Sequence, residues 1–279
     1  MRLVSYLSPG FPASLFELVG REIGAAVHFE TATSGPPPGE DPFRDGTFDL
    51  GWICSTSFVD LALRADPPSV RLAGIAWVPD DPGADGRPVY FGDVVVRADS
   101  PARALADLAG TRIAGNDVVS LSGHYALRIA IEEMGLGSAG FADLVFTGGH
   151  HDSLDALLAG TVDACVVDSV VRIGRSRADA AVAGLRVIER LGPWPVQPLV
   201  ARHDLDPATI ARVRQALLDA NDRPVVRAAL ATAALTRFVP VDAEHYAPVR
   251  DALSRCGPRG QSRLDAIRST TSRDRSGSW

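Results

Sequence analysis

The strongest constraint on this chain is a rhythm: short apolar runs alternate with stretches of helical periodicity along most of its 279 residues. "RLVSYL" reads as a strand and "PASLFELVGREIG" as the helix after it. "AVHFETA" is a second strand, the turn-rich "TSGPPPGEDPFRDG" follows, and "FDLGWIC" is a third strand leading into the helix "STSFVDLALRA". "VRLAGIAWV" and "VYFGDVVVRA" are further strands around the loop "PDDPGADGRP". A second set then begins, with "SPARALADLAG" as a short helix, "TRIAG" as a strand, and "NDVVSLSGHYALRIAIEEMG" as a loop running into a long helix. After it come the strand "DLVFTGGH", the helix "HDSLDALLAG" and the strand "DACVVDSVV". Helices are expected over 207–219 and 223–235 and in "AEHYAPVRDALSRC". Strands that alternate with helices signal βαβ units, so the expected fold is α/β with mainly parallel sheets flanked by helices. No internal repeat is visible.

Bulk properties narrow the function. At 46% hydrophobic and 22% charged residues, the chain is an ordinary globular composition, long enough for two medium lobes with separate cores. A net charge of −6 argues against nucleic acid as a partner. No run approaches the length needed to span a bilayer, so no membrane insertion is expected. The opening "MRLVSYLSPG" has no basic region, apolar stretch and cleavage site in sequence, so a cytoplasmic location is expected. Cys54, Cys165 and Cys256 are far apart and odd in number, which suits neither a disulfide framework nor a metal site. The tail 259–279, rich in Ser and Arg, is expected to be disordered. No cofactor is implied.

Polar residues collect in three places of one design, where a strand ends, hydroxyls or histidines follow, and a helix starts. These are Cys54-Ser55-Thr56-Ser57, then Ser120-Leu121-Ser122-Gly123-His124, then Gly148-Gly149-His150-His151-Asp152-Ser153. Two readings fit each loop. Ser and Asn are favoured helix caps, and a helix N-terminus is also a ready anion site. In open α/β sheets ligands sit beyond the carboxyl ends of the strands, so the three loops are expected to share one crevice. Ser57, Ser122 and His151 should then face one another across it.

"DLGWICSTSFVDL", "YFGDVVVRADSPARALADLAGTRIAGNDVVSLSGHYALR", "FTGGHHDSLDALLAGTVDACVVDS" and "GPWPVQPLVA" resemble the phosphate/phosphite/phosphonate solute-binding family of ABC transporters. The likeness runs in order through residues 1–240 and implies a two-lobed type 2 periplasmic-binding-protein fold, with the ligand between the lobes. Residues 1–92 plus 194–258 would form the first lobe and 93–193 the second, with hinges near Val94–Arg97 and Leu191–Leu199. By position, the resemblance gives Ser120, Ser122, Gly123 and His124 to the oxyanion, with His151 from the second lobe and Ser55, Thr56 and Ser57 from the first. Tyr90 matches a pocket-lining aromatic, and Asp168 matches an acidic position that in some relatives meets a ligand amine. An ABC permease is the implied partner if the chain is exported.

The missing leader leaves a second reading open, a cytosolic enzyme on the same scaffold acting as a lyase, dehydratase or isomerase. His151 or His124 would then act as general acid or base, since imidazole titrates near neutral pH. Asp168 or Asp117 would orient the histidine or serve as the base. Cys54, just before a helix N-terminus, would be a thiolate of lowered pKa. Adjacent histidines rarely bind one ion together, so no metal site is expected.

Overall fold

The protein is described here as a computed structural model, covering residues 1–8, 10–37, 39–136 and 141–255. Cys256 and the tail 259–279 lie outside those residues. Among the described residues twelve strands are formed: β1 (Arg2–Ser5), β2 (Ala26–Phe29), β3 (Leu50–Trp52), β4 (Val70–Leu72), β5 (Ile75–Pro79), β6 (Val89–Val96), β7 (Arg112–Gly115), β8 (Asp143–Phe146), β9 (Ala164–Asp168), β10 (Arg186–Pro195), β11 (Leu199–Arg202) and β12 (Leu235–Pro240).

Two five-stranded sheets share one plan. The first runs β2-β1-β3-β11-β4 and the second β8-β7-β9-β6-β10. In each, the first three strands are parallel and the remaining pairings antiparallel. The antiparallel strands follow from the crossings. β6 carries the chain from the first sheet into the second and β10 brings it back, and the two pair as they cross, with Tyr90 opposite Trp194. A two-stranded ribbon, β5 with β12, lies beside the first sheet.

The sequence segments "VRLAGIAWV" and "DACVVDSVV" each behave differently from the single strand expected of them. Gly74, at φ +78°, breaks the former into β4 and β5, which join different sheets. The latter ends at Asp168, whose carboxylate caps a helix over Ser169–Ser176 by accepting from the Val170 and Val171 N–H groups. "SPARALADLAG" holds only a single tight turn, Leu105–Leu108.

Each sheet buries apolar side chains on both faces. In the first, Trp52 stacks on Trp77 at 4.8 Å between ring centroids, with Phe16 edge-on to Trp52. In the second, Val94, Val96 and Val166 face one side, while Val95, Cys165 and Val167 face the other. These alternating valines are what a strand buried on both faces requires.

Candidate functional site

Between the two sheets lies a cavity of about 490 Å³, counting its open mouth. The carboxyl ends of all six parallel strands reach it. Tyr6, Leu7, Ser8, Gly10 and Phe11 follow β1; Thr31, Thr33 and Ser34 follow β2; Cys54 follows β3. From the second sheet come Asn116, Asp117, Ser120 and Ser122 after β7, Gly148, Gly149 and His150 after β8, and Asp168 at the end of β9. The crossings add Tyr90 from β6 and Gln197 just after β10.

At the β7 loop the question of cap or cradle has a definite outcome. Ser120 is the cap, its Oγ accepting from the Gly123 N–H at 3.1 Å. The Leu121 N–H goes to the Cys54 Sγ at 3.3 Å, and the Ser122 hydroxyl and N–H serve the Tyr90 phenol oxygen. The Leu121, Ser122 and Gly123 amides are therefore already engaged. Burial nevertheless pushes the Tyr90 phenol well above its ordinary pKa. Tyr90 stays protonated, and with Ser122 donating to its oxygen, its own O–H is available to a ligand.

An uncapped helix N-terminus occurs instead after β8. Gly149 precedes the helix His150–Leu158 and contributes no side-chain cap, and both Gly149 and His150 line the cavity. The first amides of a helix have no partner within it, so they bring a partial positive charge to this wall. His150 Nδ1 accepts the Asp168 backbone N–H at 3.3 Å. That bond places the ring proton on Nε2, and burial holds the ring neutral, with its pKa down to about 3.

Asp168 closes this corner. Its Oδ1 accepts the two helix N–H groups and its Oδ2 accepts from Gln197 Nε2 at 2.6 Å. Burial is the larger influence and raises the carboxyl to about 7. Asp117 is raised by the same cause, against hydrogen bonds from Ser34, Val119 and Ser120.

Several expected site residues stand elsewhere. His124 is buried with Nδ1 2.7 Å from the Val118 carbonyl and its ring edge-on to Phe146, and burial lowers it to about 4. It is neutral and does not line the cavity. Gly123 packs on Asn116, whose Oδ1 would lie 2.0 Å from a Cβ there. His151 lines a separate hollow with Gly10, Val171 and Arg175, so His150 is the histidine at the cavity. Ser55 donates to the Pro195 carbonyl at 3.3 Å, and Thr56 to the Val119 carbonyl. Thr56 and Ser57 line a third hollow with Pro36 and Tyr125. Ser57, Ser122 and His151 thus face three different spaces. Cys54 does reach the cavity, but burial pushes its thiol up, which corrects the expectation of a thiolate.

The loops after β1 and β2 were missed by the sequence reading. Their signal was present but faint: hydroxyls at Ser8, Thr31, Thr33 and Ser34 after strand ends, without the helix-entry pattern that marked the other loops.

Comparison with known proteins bears directly on this arrangement. The profile of the family described as "ABC transporter, phosphonate, periplasmic substrate-binding protein" matches residues 13–246. The chain belongs to that family. Solved structures agree at the level of fold. The binding protein component of an ABC phosphonate transporter from Pseudomonas aeruginosa matches with a TM-score of 0.72 at 16% identity, covering 90% of this chain and 84% of that one. PhnD1 from Prochlorococcus marinus, in complex with methylphosphonate, gives 0.71 at 15% identity over 92% and 97% of the two chains. The periplasmic aliphatic sulphonate binding protein SsuA from Escherichia coli gives 0.60 at 18% identity, with 91% of each chain covered. As a member of this family the chain has a ligand-binding role and the two-lobed fold, and no described helix is long and apolar enough to cross a membrane.

Proposed function

We propose that this chain binds one small anionic metabolite in the central cavity, a phosphonate, a phosphate-like oxyanion or a carboxylate, and delivers it to an ABC permease. The carrying observation is convergence: all six carboxyl ends of the parallel strands meet at one cavity whose wall offers donors of several kinds. Tyr90 O–H, His150 Nε2–H, the Ser8 and Thr31 hydroxyls and the uncapped start of the His150–Leu158 helix can surround an oxyanion without a full positive charge. In this reading the body carrying the first sheet, residues 1–92 with 194–258, closes on residues 93–193 by bending where β6 and β10 cross. Delivery to a permease would place the chain across the membrane from the cytoplasm. That is a departure from the expectation drawn from its first residues, and fractionation of the tagged chain from its host decides it.

The geometry does not favour the enzyme reading. Of its five candidate catalytic groups, His124 packs away from the cavity, His151 lines another hollow, Cys54 is held as a thiol, and the Asp117 carboxyl is taken up by Ser34, Asn116 and Val119. Asp168 is left without the partner assigned to it.

Native mass spectrometry of the purified protein, followed by calorimetry with methylphosphonate and inorganic phosphate, tests the proposal. One ligand per chain, a dissociation constant of about 1 μM or tighter and an unaltered ligand are expected, with a thermal shift that grows with ligand concentration. Turnover of the ligand, or no binding of any small anion, overturns it.

A further inference from the structure

A second hollow, of about 550 Å³ counting its open mouth, adjoins the central cavity. Its walls include Pro12 after β1, Thr232 and Ala233 at the end of the helix Pro224–Thr232, and Gly174 and Arg175 on the helix Ser169–Ser176. Gly10 and Val171 line both spaces, so the partition between them is one side chain set against one glycine. The fit is close. A Cβ on Gly10 would lie 3.3 Å from Val171 Cγ2 and 3.2 Å from the Leu7 carbonyl oxygen. Val171 is β-branched and sits in a helix, which holds it to one rotamer, so it does not swing aside. Leu7, Phe11 and Val171, which all line the cavity, belong to one apolar cluster, and the Phe11 ring is anchored 5.0 Å from that of Trp77.

Resting on the reading of this cavity as an anion site, we propose that the Gly10–Val171 partition sets the length of the ligand's tail. The site takes an anion with a short apolar substituent, seated on Leu7, Phe11 and Val171, and excludes one with a long alkyl chain. A close-packed wall backed by main chain cannot yield to extra methylenes without strain. Beyond the partition the hollow suits an apolar chain and not a second acidic group. Arg175, on its wall, is already paired with Asp155 and Asp179 and donates to the His151 carbonyl. Opening the partition would therefore lengthen the tail the site accepts and leave its chemistry the same.

Calorimetry on the intact protein with methylphosphonate, propylphosphonate and hexylphosphonate tests the proposal. The wild type is expected to bind methylphosphonate at least about ten-fold more tightly than hexylphosphonate. Val171→Ala joins the two spaces and should shift the ratio of the two affinities at least about ten-fold toward hexylphosphonate, the scale of two newly buried methylenes. A gain of that kind cannot come from a damaged fold. Adding Gly174→Phe fills the hollow from its far side, where a Cβ meets nothing nearer than Ala234 Cβ at 3.8 Å. The double variant should return the ratio to within about three-fold of wild type. The proposal is overturned if wild type binds the long and short chains alike, if Val171→Ala leaves the ratio unmoved, or if the gain survives Gly174→Phe. Should Val171→Ala not fold, the wild-type series decides: a fall with chain length supports the partition and a level series overturns it. Failure of all three phosphonates to bind the wild type defeats the anion reading itself, and this proposal with it.

Discussion

A helix turns about 100° per residue, so side chains adjacent or two apart in sequence face different ways. Ser122 meets the cavity while His124 meets Phe146, and His150 meets the cavity while His151 meets Arg175's hollow. The sequence showed that serines and histidines gather at helix starts, but the phase of each helix is set by its packing. Asp168 donating its N–H to His150 fixes it for the second pair, and that contact joins residues 18 apart. Ser122→Ala is expected to weaken ligand binding at least ten-fold in calorimetry, because it removes a hydroxyl from the Tyr90 oxygen and from the cavity wall. Its effect on folding should stay near 1 kcal/mol, the scale of one hydrogen bond. Asp168 also makes a prediction about pH. Its folded pKa of about 7 lies above the unfolded carboxylate value of about 4, so the native state binds more protons between those limits. Stability from this group is therefore present below about pH 4 and is lost as pH rises through 7. His150 and His124, depressed to about 3 and 4, act oppositely below about 6.5, so the test is a difference. The stability of wild type minus that of Asp168→Asn, from thermal melts, should decline from about pH 4.5 to about pH 7.5, and a flat difference would show that Asp168 does not titrate in this range.

At the scale of elements, the loop after β7 is seated by glycines of two strands of the second sheet, β7 and β6, which flank β9. A Cβ on Gly115, in β7, would lie 2.3 Å from the Gly123 carbonyl oxygen, and one on Gly92, in β6, 2.7 Å from the Ser122 carbonyl oxygen. Both obstacles are backbone atoms of the helix start, which cannot move aside as a flexible side chain would. Gly115→Ala and Gly92→Ala should each destabilise by about 1–3 kcal/mol in denaturant unfolding, Gly115→Ala the more, and both should weaken ligand binding by displacing Ser122. Neither glycine is distinguishable in the sequence from a spacer, because the atoms that forbid a side chain lie on a different element. The strand and helix order was more legible, since apolar runs and capping residues are local signals. β1, β3, β7 and β8 and the helices Ala13–Ile23, His150–Leu158 and Pro207–Ala220 sit in the segments that carry those signals. The division of "VRLAGIAWV" was not legible, because Gly74 within an apolar run becomes a break only when the two halves find partners in different sheets. The same holds for the shared strand order of the two sheets, which no repeat in the sequence announces.

Across the whole molecule, the two sheets are tied at one rim and braced at the opposite crossing. The ties join the loops of one body to those of the other: Ser34 to Asp117, Thr56 to the Val119 carbonyl, and the Leu121 N–H to Cys54. At the crossing, Asp93 is fully buried between Arg172 and Arg190, at 2.7 and 2.8 Å, and Arg190 continues to Asp81 and lies over the Phe91 ring at 4.1 Å. A buried carboxylate with two guanidinium partners resists deformation, because parting it from either leaves an uncompensated charge. Bending is therefore expected where β6 and β10 run free of this cluster, and the rim ties are the contacts that opening must break. On the proposed reading the ties hold the closed complex, and bound ligand leaves when they part. Removing two of them with Ser34→Ala and Thr56→Val should therefore act mainly on departure. Stopped-flow measurement with a fluorescent anion, or surface-immobilised kinetics, should show koff rising about ten-fold with kon changed less than about three-fold. Small-angle scattering of the ligand-free double variant should show a larger radius of gyration than wild type, with the two converging once ligand is saturating. A variant that binds more slowly yet releases at the wild-type rate would show that the rim contacts guide entry instead of holding the closed form.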